Sequence, residues 1–273
     1  MYWIAILLFS YALTACAGEH SSAWTAEQAL DRLQKGNERF VKGKPKAWNS
    51  GTDVREKLAA GQTPYACIIS CADSRVPPEQ IFDAGLGELF VIRVAGNVTP
   101  REVIASADYA VGHLNCPVVI VMGHSKCGAV AAALSESEFD EPLNSLVEEI
   151  RPVVEACHDK GYDADDLYEG AIKENARAGA SELVAGSRAI EQAVTGGKCV
   201  VLSAVYDIES GAVNWQAQYS AVNWKNEPTD NSHTEHAAEV KPTLSTRTDK
   251  VASTKRESEH AARPNPNSAK QKH

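Results

Sequence analysis

Short apolar segments alternate with helix-like segments along most of the chain. Four segments are almost continuously apolar, which is typical of strands buried on both faces of a parallel sheet; they span residues 66–70, 89–94, 118–122 and 199–205. Other segments carry apolar residues at helical spacing, over 101–114, 127–135, 143–157 and 171–195. Because buried strands separated by helices indicate a sheet covered on both faces, the pattern predicts an α/β domain with a central, mostly parallel β-sheet flanked by helices.

Two local signals mark where this domain begins and ends. Thr25 and Gln28 match a capping box, and the apolar residues that follow at helical spacing predict an opening helix. A turn signal at residues 209–211 precedes residues 212–218, which we predict as an antiparallel edge strand. The domain is therefore expected to cover residues 22–225.

The segment before the domain resembles an export signal. From Trp3 to Ala15 it is mostly apolar and uncharged, which suits a signal-peptide core and is short for a membrane span. Small residues before Cys16 resemble a bacterial lipoprotein processing site, although no Lys or Arg precedes the apolar run. We predict that residues 1–20 direct export, giving a periplasmic protein or a lipoprotein anchored through a lipidated Cys16. The alternative is a buried N-terminal helix.

The composition of the chain changes after residue 225. Residues 226–273 contain no aromatic residue, and their few large aliphatic residues are scattered without period. Such a segment buries too little apolar surface to offset the entropy that it would lose on ordering. We therefore predict a disordered polar tail over residues 226–273.

The overall charge restricts the class of partner. The formal net charge at pH 7 is -9, whereas a protein that binds nucleic acid presents a basic face to the phosphate backbone. We therefore expect no nucleic-acid partner.

Two of the predicted strands run directly into potential metal ligands. Cys71 follows the first strand, and His124 and Cys127 follow the third. Because functional groups gather at the carboxyl ends of parallel strands, adjacent strands would bring these three side chains together. Two thiolates and one imidazole suit zinc, and three protein ligands leave the fourth position open, as in a catalytic zinc site.

The remaining cysteines have a different setting. Cys67, Cys116 and Cys199 lie in apolar runs, where an unpaired cysteine commonly acts as a small hydrophobic residue. We expect two cysteines to bind a metal ion and most of the others to be buried and inert.

Asp73 and Arg75 share one turn with Cys71. An Arg partner would keep Asp73 ionised and oriented, so that it accepts a hydrogen bond from water on the metal. Such help is needed because two thiolates neutralise the charge of Zn²⁺, which makes it a weaker acidifier of water. Taken singly, a strand-end Cys is usually a buried hydrophobic residue and Asp-x-Arg a structural ion pair, and the residues alone leave the reaction open.

Together these motifs closely resemble the β-class carbonic anhydrases. The resemblance rests on residues 71–75, 87–93 and 124–128 and extends from about Ala29 to Trp215. It implies one zinc ion per chain, held by Cys71, His124 and Cys127. It also implies that Asp73 and Arg75 orient the nucleophile, and that the protein is an enzyme that reversibly hydrates carbon dioxide to bicarbonate and a proton.

The resemblance to the plant-like branch of this family implies a substrate pocket and an assembly. Gln62 stands where that branch has a substrate-binding glutamine, and Phe90 and Tyr109 match aromatic positions of its carbon dioxide pocket. Core packing is the alternative role of the two aromatic residues. The site for inhibitory bicarbonate found in some members is not matched, so we expect no such switch. Family members are typically dimers or dimers of dimers with active sites near the dimer interface, which implies a homodimer or homotetramer.

Two other functions fit the same residues. One is hydrolysis of a carbon dioxide analogue such as carbonyl sulfide or carbon disulfide. The other is a non-catalytic scaffold stabilised by zinc, which the Asp73–Arg75 pair argues against because a structural zinc site has no need of it.

Overall fold

A mixed β-sheet forms the centre of the computed structural model, which describes residues 24–48, 50–135, 137–163, 166–220 and 229–230. Across the described residues, the sheet has six strands in the order β2-β1-β3-β4-β5-β6. Their bounds are β1 Ala66–Ser70, β2 Leu89–Arg93, β3 Val118–His124, β4 Val200–Tyr206, β5 Val213–Tyr219 and β6 Thr229–Asp230. Strands β1 to β4 are parallel to one another, and β5 is antiparallel to β4 and β6. The predicted α/β fold with a mostly parallel sheet is confirmed.

Helices surround this sheet. Their bounds are α1 Ala26–Val41, α2 Thr52–Leu58, α3 Pro78–Ile81, α4 Arg101–Gly112, α5 Gly128–Leu134, α6 Leu143–Glu148, α7 Arg151–Asp159, α8 Leu167–Gly186 and α9 Arg188–Thr195, with a short 3-10 turn at Ala95–Asn97. The capping box predicted at Thr25 and Gln28 opens α1, with both reciprocal hydrogen bonds formed. Among the described residues, no helix is both long enough and apolar enough to span a membrane.

The strands bury side chains on both faces of the sheet. Cys67 and Ile69 of β1 pack on the face covered by α4, α8 and α9. Ile68, between them, packs on the opposite face with α1 and α3. Because side chains alternate along a strand, a strand covered on both faces is largely apolar, and in β1 only the last residue, Ser70, is polar.

Two predicted helices are each interrupted in the structure. The segment 143–157 forms α6 and α7, because Pro152 lies in the first turn of a new helix. The segment 171–195 falls in α8 and α9, which are separated by Ser187. The Ser187 hydroxyl accepts a hydrogen bond from the Ile190 N–H over 3.1 Å and so caps α9.

The second strand differs from the prediction of a strand buried on both faces. Within the described part of the chain, β2 pairs with β1 alone and lies at the edge of the sheet. Its first four residues are half-buried and Arg93 is exposed. The strand predicted at 212–218 forms as β5, antiparallel to β4, and the two-residue β6 pairs along its other side.

Three of the sequence predictions fall mainly on residues that are not described. The export signal over residues 1–20 and the lipidation site Cys16 lie outside the described residues, as does most of the tail predicted over 226–273. Within that tail, residues 229–230 form β6.

Candidate metal centre

The carboxyl ends of β1 and β3 bring three potential metal ligands together. In the parallel register of these strands, Ser70 pairs with Met122, so that Cys71 lies level with Gly123 and His124 follows one residue later. One ligand atom from each of Cys71, His124 and Cys127 lies within 4.8 Å of the others, and all three residues are buried. Among the described residues, no other group of three or more His, Cys, Asp or Glu side chains is gathered in this way.

His124 presents one ring nitrogen to this cluster. Its Nδ1 lies 2.9 Å from the Ser125 carbonyl oxygen, which fixes the tautomer with the proton on Nδ1. Its Nε2 is buried and has no hydrogen-bond partner among the described residues. A buried acceptor without a partner is costly, and coordination of a metal ion satisfies it.

The two cysteines form a coupled pair. The Cys127 thiol donates a hydrogen bond to Cys71, which lowers the pKa of Cys71 and raises the pKa of Cys127. Backbone N–H groups of Gly96 and Asp73 also donate to the Cys71 sulfur, over 3.3 and 3.4 Å. A doubly charged soft cation would take the place of the shared proton and hold both thiolates, so the residues present fit zinc.

The other cysteines have the character that the sequence predicts. All six cysteines among the described residues are buried and free of disulfide bonds. Burial raises the pKa of the Cys116 thiol to about 12, and it also raises the pKa values of Cys67 and Cys199. These three are therefore neutral, unreactive parts of the core.

Asp73 and Arg75 form a bidentate ion pair beside the cluster. The Arg75 Nε donates to Asp73 Oδ1 over 2.9 Å, and its Nη2 donates to Oδ2 over 2.7 Å. These hydrogen bonds hold the pKa of the Asp73 carboxyl well below its usual range. Asp73 is turned towards Arg75 and is not one of the three clustered ligand residues, which leaves the fourth position of a tetrahedral site open.

Arginine side chains also connect the segments that carry the ligands. Arg93, at the end of β2, donates from Nε to the Cys71 carbonyl oxygen over 3.0 Å and from Nη2 to that of Asp73. Arg75 donates to the Lys126 carbonyl oxygen over 3.3 Å. Arg93 has no role predicted from the sequence, and the signal that could have indicated one is its place as a charged residue at the end of an apolar strand.

The predicted substrate residues lie away from the ligands of their own chain. Gln62 is exposed and precedes β1, whereas Cys71 follows that strand. Phe90 of β2 pairs with Cys67 of β1, which lies four residues before Cys71. Four residues of strand place Phe90 roughly 13 Å from the level of Cys71. The Tyr109 ring on α4 lies 6.3 Å from the Phe90 ring, and the residue is 46% exposed. One chain therefore does not bring these three side chains to its metal ligands.

Comparisons with known proteins agree with this geometry. A family model described as carbonic anhydrase matches residues 66–213, which include all three clustered ligands and the Asp73–Arg75 pair. Carbonic anhydrase 2 of Mycobacterium tuberculosis is 39% identical over 194 residues, which cover 70% of this chain and 89% of that protein.

Solved β-carbonic anhydrases share the fold. The Coccomyxa enzyme in complex with acetazolamide is 27% identical with a TM-score of 0.55, covering 70% of this chain and 82% of that one. A tetrameric enzyme of Sordaria macrospora is 28% identical with a TM-score of 0.54, covering 59% of this chain and 84% of that one.

Proposed function

The chain belongs to the β-carbonic anhydrase family, and from this premise we propose that it hydrates carbon dioxide with one zinc ion per chain, held by Cys71, His124 and Cys127. The reaction converts carbon dioxide and water reversibly to bicarbonate and a proton. The observation that carries the zinc proposal is the buried, unpartnered Nε2 of His124 within 4.8 Å of two cysteine sulfurs. This donor set suits zinc in a site with an open fourth position.

Asp73 and Arg75 orient the attacking water in this proposal. A zinc ion held at the centre supplies Lewis acidity, which makes water a nucleophile near neutral pH. Arg75 keeps Asp73 ionised by donating to both of its oxygens. Asp73 Oδ1 already accepts from both the Arg75 backbone N–H and its Nε, whereas Oδ2 accepts from Nη2 and retains a further acceptor position, with which Asp73 accepts one proton of the water in a hydrogen bond. The water is thereby turned so that its free lone pair faces carbon dioxide.

We propose that the substrate pocket is completed by a second copy of the chain. Phe90 and Tyr109 form a partly exposed aromatic pair near the β2 edge, and Gln62 is exposed as well. Because they cannot reach the ligands of their own chain, they line the metal centre of the other copy in a homodimer or homotetramer. Carbon dioxide is small and apolar, so aromatic walls suit it, and the Gln62 amide can donate to a bicarbonate oxygen. The tetrameric Sordaria enzymes support this assembly.

We further propose a regulatory class and a location. Gln62, Phe90 and Tyr109 support membership of the plant-like branch, so added bicarbonate should inhibit the enzyme only as a product does.

The location follows from the start of the chain. The apolar segment before Cys16 supports export by residues 1–20 and a lipidated Cys16, so the enzyme would lie in the periplasm or on its membrane. Incorporation of a labelled fatty acid that is abolished by Cys16→Ser tests the lipid anchor.

Replacing Asp73 while zinc is retained tests the proposed chemistry. In Asp73→Asn, the amide no longer offers a charged acceptor to the water, so we expect the kcat/KM for hydration to fall by roughly 10- to 100-fold. Stopped-flow hydration with zinc measured on the same sample gives both quantities. Full activity in a zinc-replete Asp73→Asn enzyme would refute the role of Asp73.

Two other results would favour the rival functions. Hydrolysis of carbonyl sulfide by a wild-type protein that does not hydrate carbon dioxide would favour the analogue hydrolase. A closed zinc site with four protein ligands would favour the non-catalytic scaffold.

A further inference from the structure

We propose that one face of helix α8 fixes the positions of all three ligand segments, with Tyr168 and Asn175 as positioning residues for the metal centre. The inference rests on the proposed zinc site. Tyr168, Ile172 and Asn175 are spaced by four and three residues, so they project from the same side of the helix. Tyr168 and Ile172 contact the segments of Cys127 and His124, and Asn175 reaches Cys71 through the Gly96 peptide.

The first contact is made to Cys127. The Tyr168 hydroxyl, which is half-buried, donates to the Cys127 carbonyl oxygen over 2.8 Å. Cys127 is the residue before the first turn of α5, and the same carbonyl accepts from Ala131 N–H over 3.0 Å. The hydroxyl therefore anchors to α8 the peptide that carries the second thiol.

The second contact is made beside His124. A Cβ atom on Gly123 would lie 3.3 Å from the Ile172 carbonyl oxygen and 3.5 Å from the Ile172 side chain. The backbone of α8 thus packs directly on the residue before the histidine. Both Ile172 and His124 are almost fully buried, so this part of β3 has no room to move away from the helix.

The third contact reaches Cys71 through one peptide. The Asn175 side chain is 6% exposed, and its Nδ2 donates to the Gly96 carbonyl oxygen over 2.8 Å. The N–H of Gly96 in turn donates to the Cys71 sulfur over 3.3 Å. Gly96 has a φ of 68°, and a Cβ there would lie 2.7 Å from Ile150, so this position requires glycine.

These contacts make α8 a common support for ligands that come from two separate loops. The sequence predicts the ligands in the loops that follow β1 and β3. Loops are more mobile than the strands they follow, so the ligands need contacts with other elements to keep their positions. Hydrogen-bonding partners outside the ligands typically change metal affinity by roughly 10- to 100-fold, because they fix ligand orientation. Tyr168 and Asn175 touch neither the metal nor the substrate, so their loss should act on zinc affinity and ligand geometry.

Three single substitutions test the proposal. Tyr168→Phe removes one hydroxyl, and Asn175→Leu removes the donor to Gly96 at nearly constant size. Thr99→Val is the matched control, because the Thr99 hydroxyl donates to Glu182 of the same helix but bonds to no ligand segment. The full chain is stripped of metal and its zinc affinity is measured by competition with a chromogenic chelator. The sulfur-to-cobalt charge-transfer band is recorded after Co²⁺ substitution, and the thermal midpoint of each metal-free protein is measured separately.

We expect Tyr168→Phe and Asn175→Leu to lower zinc affinity by about 10-fold or more and to shift the cobalt band, while Thr99→Val keeps the wild-type affinity and band. Wild-type affinity and spectrum in Tyr168→Phe, which deletes a single atom and should fold, would overturn the inference. An equal loss in Thr99→Val would also overturn it, because the effect would then be general loosening of α8. A wild-type protein that binds no zinc would refute the proposed function itself, which separates the two failures.

Discussion

Asp83 shows how one buried carboxylate joins α1 and the segment after it to the turn that follows α3. Its side chain accepts hydrogen bonds from Arg39, from the Trp48 indole over 2.8 Å and from the Lys46 N–H over 3.0 Å. Burial alone would raise the pKa of Asp83, but these hydrogen bonds outweigh burial and lower it. A carboxyl whose pKa is lowered by folding stabilises the native state above its ordinary pKa, and that stabilisation is lost as the pH falls through the lowered value.

Asp83→Asn should therefore destabilise the protein in a pH-dependent way. We expect the free energy of unfolding to fall by roughly 3 kcal/mol at pH 7, because Arg39 loses its buried partner. The difference from wild type should begin to narrow below about pH 4, where the carboxyl of the unfolded wild-type chain binds a proton, and should narrow further as the pH falls through the lowered pKa of the native carboxyl. Urea unfolding of both proteins in the same metal state, at several pH values, measures this. Asp31→Asn is the control, since the Asp31–Lys35 pair is exposed and should contribute little. An equal loss at pH 3 and pH 7 would contradict the account.

At the scale of residues, the sequence predicts contacts that follow from strand ends and misses those made by distant helices. Cys71, His124 and Cys127 could be placed together because adjacent parallel strands end at one edge of a sheet. The bidentate contact of Arg75 with Asp73 was predictable because the two residues share a turn. The contacts of Tyr168 and Asn175 were not predictable, because they depend on how α8 packs across β3 and β4.

At the scale of elements, Ser187 decides where α8 ends and α9 begins. Its hydroxyl accepts from the Ile190 N–H and donates to Asp108 over 2.6 Å. The helical periodicity of 171–195 continues through this residue, which is why the sequence predicted a single helix. A cap made by a serine within an otherwise helical pattern is a weak signal, whereas the strong strand runs placed β1, β3 and β4 within two residues of their observed ends.

Ser187→Ala should destabilise the protein without affecting the metal centre. We expect a loss of about 1 to 2 kcal/mol in the free energy of unfolding, because α9 loses its N-terminal cap. Zinc content and hydration activity should stay at the wild-type level, because Ser187 lies at the far end of α8 from Tyr168. Ser106→Ala is the matched control, since that exposed hydroxyl bonds only within α4. Chemical denaturation compares the two variants, and an equal effect of both would contradict the capping role.

At the scale of the whole molecule, we propose that a second chain completes the substrate pocket. The ligands and Asp73 lie at the carboxyl ends of β1 and β3, whereas Gln62 precedes β1. Sequence patterns could assign these residues to one pocket only through the family resemblance. Sequence patterns could not indicate whether one chain or two supply the residues of this pocket. The distance between Phe90 and Cys71 depends on the register of β1 and β2, which is known only from the paired strands.

Mixed oligomers of two impaired variants test whether the site is shared. Chains carrying Gln62→Ala and chains carrying Asp73→Asn are co-expressed with different tags, and the mixed species is purified. In a two-fold symmetric dimer, one site then carries both changes and the other carries neither, so about half of the wild-type activity should return. Asp73→Asn mixed with Arg75→Lys is the control, because both changes then act within their own chain and no intact site forms. Activity no higher than the mean of the two parents would contradict the shared pocket.

The most direct test of the account is carbon dioxide hydration measured by stopped flow, with zinc determined on the same purified sample. We expect fast hydration with one zinc per chain. We also expect activity to be lost when a chelator removes the metal and to be regained when zinc is added back. Hydration that survives complete removal of zinc, or a chain that binds zinc at Cys71, His124 and Cys127 and does not hydrate carbon dioxide, would contradict it.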